Sequence, residues 1–356
     1  MTITRELRRI TINMKSNNKM DFEVIIGKDE VGRDFAIHVP TLPHLLVGGV
    51  AGSGKSNLLH RIVVTLSSRI SPQDLKLILI DPKQVELNVY NHLPHLLTPV
   101  IGDPKKMVLA LKWAGKEMDR RLGIFQSAHV RTIEAYRKKG LKEETMPYIL
   151  IVVDSLSEMM AAYPDEVETI IARLSEASHL TGIHLVLSTS RVAGKFITEP
   201  IKSGMQSRIA FKVPSASDSM SLLGIGGAEK LNATGEILFQ SGSMKYPMCV
   251  RLAQISEAEI AEKLKTIKGE YKEEAQSVIH PHSAEDAFDT DHDNMYEEAR
   301  QVTVSAGKVS TAFLQRKLRI GYARAAYLID ILEEKGVIGP ADGAKPREVR
   351  VQAIIH

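Results

Sequence analysis

The chain has 356 residues, a formal net charge of +3, 44% hydrophobic residues and 25% charged ones, which is an ordinary composition for two or three globular domains. Its single cysteine, Cys249, excludes an intrachain disulfide and suits a reducing compartment, and no run approaches the ~18 apolar residues of a membrane span. The first residues, Met1 to Arg9, lack the apolar centre of a secretion signal, so the sequence reads as a soluble, cytoplasmic protein.

Residues 1–40 read as a polar lead-in and a hairpin, with apolar runs at 22–26 and 35–39 on either side of a glycine-bounded turn at 27–32. A buried strand follows at 44–48, and then Gly49-Val50-Ala51-Gly52-Ser53-Gly54-Lys55-Ser56, which fits G-x-x-x-x-G-K-[ST]. Asn57 opens an amphipathic run, so the glycines lie between a strand and a helix. There they let backbone N–H groups turn toward phosphate oxygens, at a helix end whose dipole favours negative charge. Lys55 would neutralise the β and γ phosphates, and the Ser56 hydroxyl would face Mg²⁺. The expected nucleotide-binding set is Gly49, Val50, Ala51, Gly52, Ser53, Gly54, Lys55, Ser56 and Asn57.

Further apolar runs at 75–80, 148–153, 184–188 and 207–213 are separated by helix-length segments, the pattern of a parallel sheet covered on both faces. The run at 148–153 delivers Asp154 at its end, where a carboxylate supports Mg²⁺ in a phosphate-binding α/β fold. Residues 41–267 thus form the expected nucleotide-binding domain, and 268–293, rich in Glu, Asp, His and Ser, a linker. The twelve histidines show no zinc-ligand spacing.

Residues 294–356 carry ten Lys and Arg against seven Asp and Glu, so the whole positive excess of the chain lies in this last sixth. That distribution suggests a polyanion-binding module on an electrically balanced body. Its pattern gives helices at 295–304, 309–318 and 322–335, the last stopped by Gly336, and a two-stranded wing over 337–351. This is the plan of a winged helix-turn-helix domain.

Several segments together resemble the FtsK/SpoIIIE family of DNA translocases. They include Ile80-Asp81-Pro82-Lys83 with Glu86, Leu93-Pro-His-Leu-Leu-Thr-Pro-Val100, Glu117-Met-Asp-Arg-Arg121, Gly182-Ile-His-Leu185, Arg208-Ile-Ala-Phe211, and Leu314 to Tyr322. The resemblance implies an α/β, RecA-like P-loop NTPase with a mostly parallel sheet, plus a small C-terminal winged helix-turn-helix. ATP and Mg²⁺ would be the cofactors, and a homo-hexameric ring would drive double-stranded DNA by ATP hydrolysis while the winged helix loads or orients it. Residues 1–40 would be a remnant of the family's pre-motor domain. Family members commonly carry membrane anchors and a full domain before the motor. Their absence here favours a soluble homologue, a mobile-element version or an excised fragment over a septum-tethered pump for chromosome partition.

The family pattern also implies residues that this chain lacks. Ser155 stands where a water-polarising glutamate would follow Asp154, Ser190 where a glutamine would sense the γ-phosphate, and His179 where an arginine would reach a neighbouring subunit. A serine hydroxyl is a poor base near neutral pH. The alternative expectation is therefore a nucleotide-binding, weakly hydrolysing or non-hydrolysing DNA assembly protein. With Lys55 and Asp154, Glu158 is the candidate catalytic substitute, and Arg173 and Arg191 are candidate stand-ins for the missing arginine. The resemblance points to Lys202 for the ring's pore, with Lys195 nearby in place of an acidic residue. In the winged helix it points to Arg316, Lys317, Arg319 and Arg324 around the recognition helix, and to Lys345 and Arg347 as phosphate contacts in the wing. Ala323 and Tyr327 replace the usual asparagine and arginine, so the family's base preference does not carry over.

Overall fold

The computed structural model describes residues 22–271 and 295–350, apart from 43, 141–145, 233–234, 243 and 341–345. The lead-in before Phe22, most of the expected linker, and Lys345 lie outside the described residues.

The larger body begins with β1 (Glu23–Asp29), β2 (Asp34–His38), β3 (His44–Gly48), α1 (Lys55–Arg69), β4 (Leu75–Ile80), α2 (Pro104–Ser127) and α3 (Ile133–Lys138). It continues through β5 (Tyr148–Asp154), α4 (Leu156–Ala162), α5 (Pro164–Ala177), β6 (Ile183–Thr189), α6 (Glu199–Gly204) and β7 (Ser207–Ala210). It ends with α7 (Ala216–Leu223), β8 (Glu236–Gln240), β9 (Met248–Leu252) and α8 (Glu257–Glu270). The smaller body holds α9 (Tyr296–Ala306), β10 (Lys308–Val309), α10 (Thr311–Leu318), α11 (Tyr322–Glu334) and β11 (Arg347–Glu348).

One sheet of nine strands, in the order β2-β1-β9-β8-β7-β3-β6-β5-β4, organises the larger body. Its five strands from β7 to β4 run parallel, and the other four join antiparallel. Parallel strands need both faces covered, and β3 and β6 are buried at every position for that reason. Two apolar layers do the covering. One includes Leu59, Ile62 and Val63 of α1, and the other includes Leu111 and Trp113 of α2 and Ile171 of α5. The register places Gly48 beside Thr189, Asp154 beside Ser188, and Ile80 beside Val153, so the C-terminal ends of these strands finish level. Ligands of open α/β sheets bind at such an edge.

Two boundaries differ from the sequence reading, and two strands add to it. The hairpin assigned to a lead-in at 1–40 is part of the large sheet, because β1 pairs with β9. α8 runs through Glu270, beyond the expected end of the domain at 267. β8 and β9, which the apolar runs do not single out, alternate between covered and open positions and so carry fewer apolar residues than the central strands.

The small body packs around Val309, Leu314, Leu328, Ile329 and Leu332. Gly336 ends α11 in the left-handed region at φ 70°, as its position suggests. The described part of the wing pairs antiparallel as expected, with Ile338 bridging to Val349, Gly339 N–H donating to Glu348 O and Arg350 N–H to Val337 O, both at 2.9 Å, and β10, ahead of α10, adds to it by pairing with β11. Tyr322, the first residue of α11, packs into the larger body instead. Its hydroxyl donates to Glu117 Oε1 at 3.1 Å and accepts from Arg120 Nη2 at 2.8 Å.

Candidate nucleotide-binding site and nucleic-acid interface

The loop after β3 is shaped for an anion before any side chain is considered. Gly54 caps α1 in a left-handed conformation at φ 108°, and a Cβ there would stand 3.1 Å from the Phe211 ring. Val50 N–H donates to Lys212 O at 2.8 Å and Ser53 Oγ to Val50 O at 2.7 Å, which fixes the loop from below. No side chain caps the start of α1, so its first N–H groups remain for a ligand.

Lys55 is buried and donates to the carbonyls of Gly49 and Val50, both at 2.7 Å. Burial pushes its ammonium down to about 8, with Asp154 opposing and Lys83 adding to the shift. Ser56 Oγ lies 3.5 Å from Asp154 Oδ2, bringing together a hydroxyl and a carboxylate from opposite sides of the cleft. Burial raises the Asp154 carboxyl to about 6; Asp81 and Glu86 reinforce this, while Lys55 and Lys83 oppose it. Uncapped amides, a desolvated ammonium and a pair of hard oxygens fit a phosphate chain with a divalent cation. The Asn57 side chain bonds reciprocally with the backbone of Ile255, at 2.8 and 3.2 Å, and holds α8's approach.

Ser155 sits at φ 84°, in the left-handed region, with its hydroxyl 3.3 Å from that of Ser157. Because non-glycine residues are strained there by roughly 1 kcal/mol or more, Ser155→Gly is expected to hold or raise the urea midpoint, whereas Ser155→Val should lower it. Glu158 lies in the first turn of α4, and no described hydrogen bond or ion pair joins its side chain to Asp154.

The expected DNA contacts separate into two groups. Arg316, Lys317 and Arg319 are exposed around the turn between α10 and α11, with Arg319 in the left-handed region at φ 54°. Arg324 is half-buried near the start of α11. Lys202 and Arg347 do not stand open as the sequence suggests. The Lys202 side chain is 14% exposed and bound to Glu199, while Arg347 is 9% exposed and tied to Glu333 and Asp330 on α11. The Lys202 partner is its i,i+3 neighbour on α6, whereas Arg347 is drawn in by carboxylates that a linear reading does not place beside it.

The sequence profile described as the FtsK/SpoIIIE family matches residues 7–194, and that of the Ftsk gamma domain matches residues 290–352. The chain belongs to the FtsK/SpoIIIE family. A DNA translocase FtsK from Clostridium tetani is 41% identical over 346 residues, covering 95% of this chain and 47% of that protein. The DNA translocase SpoIIIE of Bacillus subtilis is 39% identical over 348 residues, covering 95% of this chain and 44% of that protein. The chain therefore spans just under half the length of these relatives. Among solved structures, the pCW3 conjugation coupling protein TcpA, determined with ATPgS, superposes with a TM-score of 0.62 at 24% identity, covering 70% of this chain and 71% of TcpA. That likeness concerns the P-loop ATPase fold.

Within the FtsK/SpoIIIE family framework, the stand-ins for the missing arginine are already engaged. Arg173 pairs with Asp119, and Arg191 lies over the Phe196 ring with its guanidinium 5.4 Å from the centroid. Lys195 lies over the same ring at 5.0 Å. His179 meets His44 edge to face at 6.0 Å, near the start of β3 and at the opposite end of that strand from the P-loop. Burial lowers the His179 pKa, with Glu134 opposing, so the ring brings no fixed cation near neutral pH.

The sequence reading missed Asp81 as an architectural residue. Buried at the end of β4, it accepts four backbone N–H bonds, from Lys83, Gln84, Glu86 and Leu87, at 2.9 to 3.1 Å. The signal was present in the sequence: an apolar strand ending in a carboxylate, as at Asp154.

Proposed function

We propose that this chain is the motor and DNA-reading portion of an ATP-dependent double-stranded DNA translocase, working as a closed, hexameric ring. One observation carries the proposal: a P-loop serine faces a strand-end aspartate beside a buried P-loop lysine, in the same polypeptide as a basic winged helix. The relatives named as DNA translocases support it. ATP would lie along the loop from Gly49 to Ser56, with Lys55 on its β and γ phosphates. Mg²⁺ would be held between Ser56 and Asp154 and would neutralise charge developing on the transferred phosphoryl group. A heterologous interface that closes into a ring allows one subunit to complete its neighbour's site. Among the described residues no helix is long and apolar enough to cross a membrane.

Duplex affinity tests the reading directly. Exposed Arg316 and Lys317 would contact phosphates, which carry no base information. Replacing both with Ala should weaken binding to unrelated duplexes alike and reduce the slope of log K against log salt by about 2, since each lost phosphate contact removes about 1. An unchanged slope in fluorescence anisotropy would remove α10 from the interface. Strong duplex binding and nucleotide binding with no DNA-stimulated turnover would instead favour the non-hydrolysing assembly protein.

A further inference from the structure

The water-activating position that Ser155 leaves vacant has a neighbour in the same cleft. α1 presents Ser56 and His60 on one face, one turn apart. Ser56 reaches Asp154 across the cleft, and one turn further along, His60 Nε2 reaches Glu86 Oε2 at 3.5 Å. The other ring nitrogen, Nδ1, lies 2.8 Å from the Tyr90 hydroxyl. Tyr90 is fully buried, and burial holds its phenol well above the usual range, so the hydroxyl keeps its proton. An ionised Glu86 carboxylate can only accept, so the tautomer that suits both neighbours carries its hydrogen on Nε2, donating toward Glu86, and leaves Nδ1 to accept from the Tyr90 hydroxyl.

The other carboxylates are engaged or have no described partner in the cleft. Asp81 gives both oxygens to backbone amides and is 1% exposed. Asp154 faces Ser56, and Glu158 has no described tie to the cleft. The Glu86 side chain is 42% exposed, open to water, and its backbone is fixed by the bond from its N–H to Asp81 at 2.9 Å.

We infer that Glu86 is the catalytic carboxylate that activates water for ATP hydrolysis in this chain, with His60 and Tyr90 as positioning residues. The inference rests on the motor reading above. As the water oxygen bonds to the γ-phosphorus, its proton passes to a Glu86 oxygen. The bond from that phosphorus to the β–γ bridging oxygen breaks, and its electron pair leaves on the diphosphate. The proton then passes from Glu86 to the phosphate product or to solvent.

The test uses the full chain with ATP, Mg²⁺ and duplex DNA. Glu86→Gln should lower kcat by at least about 100-fold, the usual reach of a general base, while the dissociation constant of a fluorescent ATP analogue and the thermal midpoint stay near the wild-type values. Nucleotide recovered from the variant should be intact ATP. His60→Gln, which keeps a donor toward Glu86, should retain more kcat than His60→Phe, at similar affinity for the analogue. In histidine side-chain ¹⁵N spectra the His60 signal should report the Nε2–H tautomer and shift in Glu86→Gln. Turnover by Glu86→Gln within about threefold of wild type, well short of a general base's usual contribution, would overturn the assignment and leave the motor standing. Wild-type protein that binds ATP without hydrolysing it would also overturn the assignment, and absence of ATP binding would overturn the motor reading itself.

Discussion

Lys55→Ala is expected to weaken ATP binding at least about 100-fold and to bring DNA-stimulated turnover to background. An ammonium on two phosphate groups makes charge-assisted hydrogen bonds worth roughly 1.5–3 kcal/mol each, and about 2.7 kcal/mol already corresponds to 100-fold in affinity. The fold should tolerate the change. The Lys55 ammonium is desolvated, and its two bonds go to the carbonyls of Gly49 and Val50 at the loop. Removing a buried charge offsets much of the loss of those bonds. Isothermal titration with ATP, together with a thermal melt of the same sample, separates the two effects. An alanine variant that still binds ATP within a few-fold of wild type would show that the loop does not hold the phosphates.

The legibility of this site follows from distance along the chain. The P-loop is local: eight consecutive residues between a strand and a helix specify both shape and charge, so its place in the fold could be read before the structure. Asp154 was legible because an apolar strand ending in a carboxylate is also a local pattern. The pairing of His60 with Glu86 was not, since it joins a helix to a loop and depends on β4 lying at the outer edge of the parallel strands. The surroundings of Arg347 were not legible for a related reason. A basic residue looks available in sequence until packing supplies its carboxylate, and Arg347 finds Glu333 fourteen positions away across the wing. The winged helix itself was legible from helix lengths and Gly336, yet β10, two residues long, is too short to leave a periodic signal.

The largest stability effect is expected at Glu117, whose pattern with Arg120 and Arg121 is visible in sequence but whose task is not. Arg121 Nε and Arg120 Nε donate to its two carboxylate oxygens, both at 2.7 Å, and Arg121 is 0% exposed, with further bonds to the carbonyls of Pro147 and Thr181. Burial raises the Glu117 pKa, but the charges of Arg120 and Arg121 and their hydrogen bonds outweigh it and hold the carboxyl at about 2, against an ordinary 4.5. Glu117→Ala leaves Arg121 charged, buried and short of its counter-charge, a change that costs about 3–5 kcal/mol. It also takes the acceptor from Tyr322, so amide exchange should quicken in the first turn of α11. The pH dependence has a definite sign. A carboxyl with a depressed folded pKa contributes its full stability above the unfolded value near 4.5 and loses it as pH falls through about 2. Wild-type urea midpoints should therefore drop between pH 5 and pH 3 more steeply than those of Glu117→Gln, which has no such proton to gain. Parallel curves for the two proteins would show that the arginines stabilise the fold without needing this carboxylate's charge.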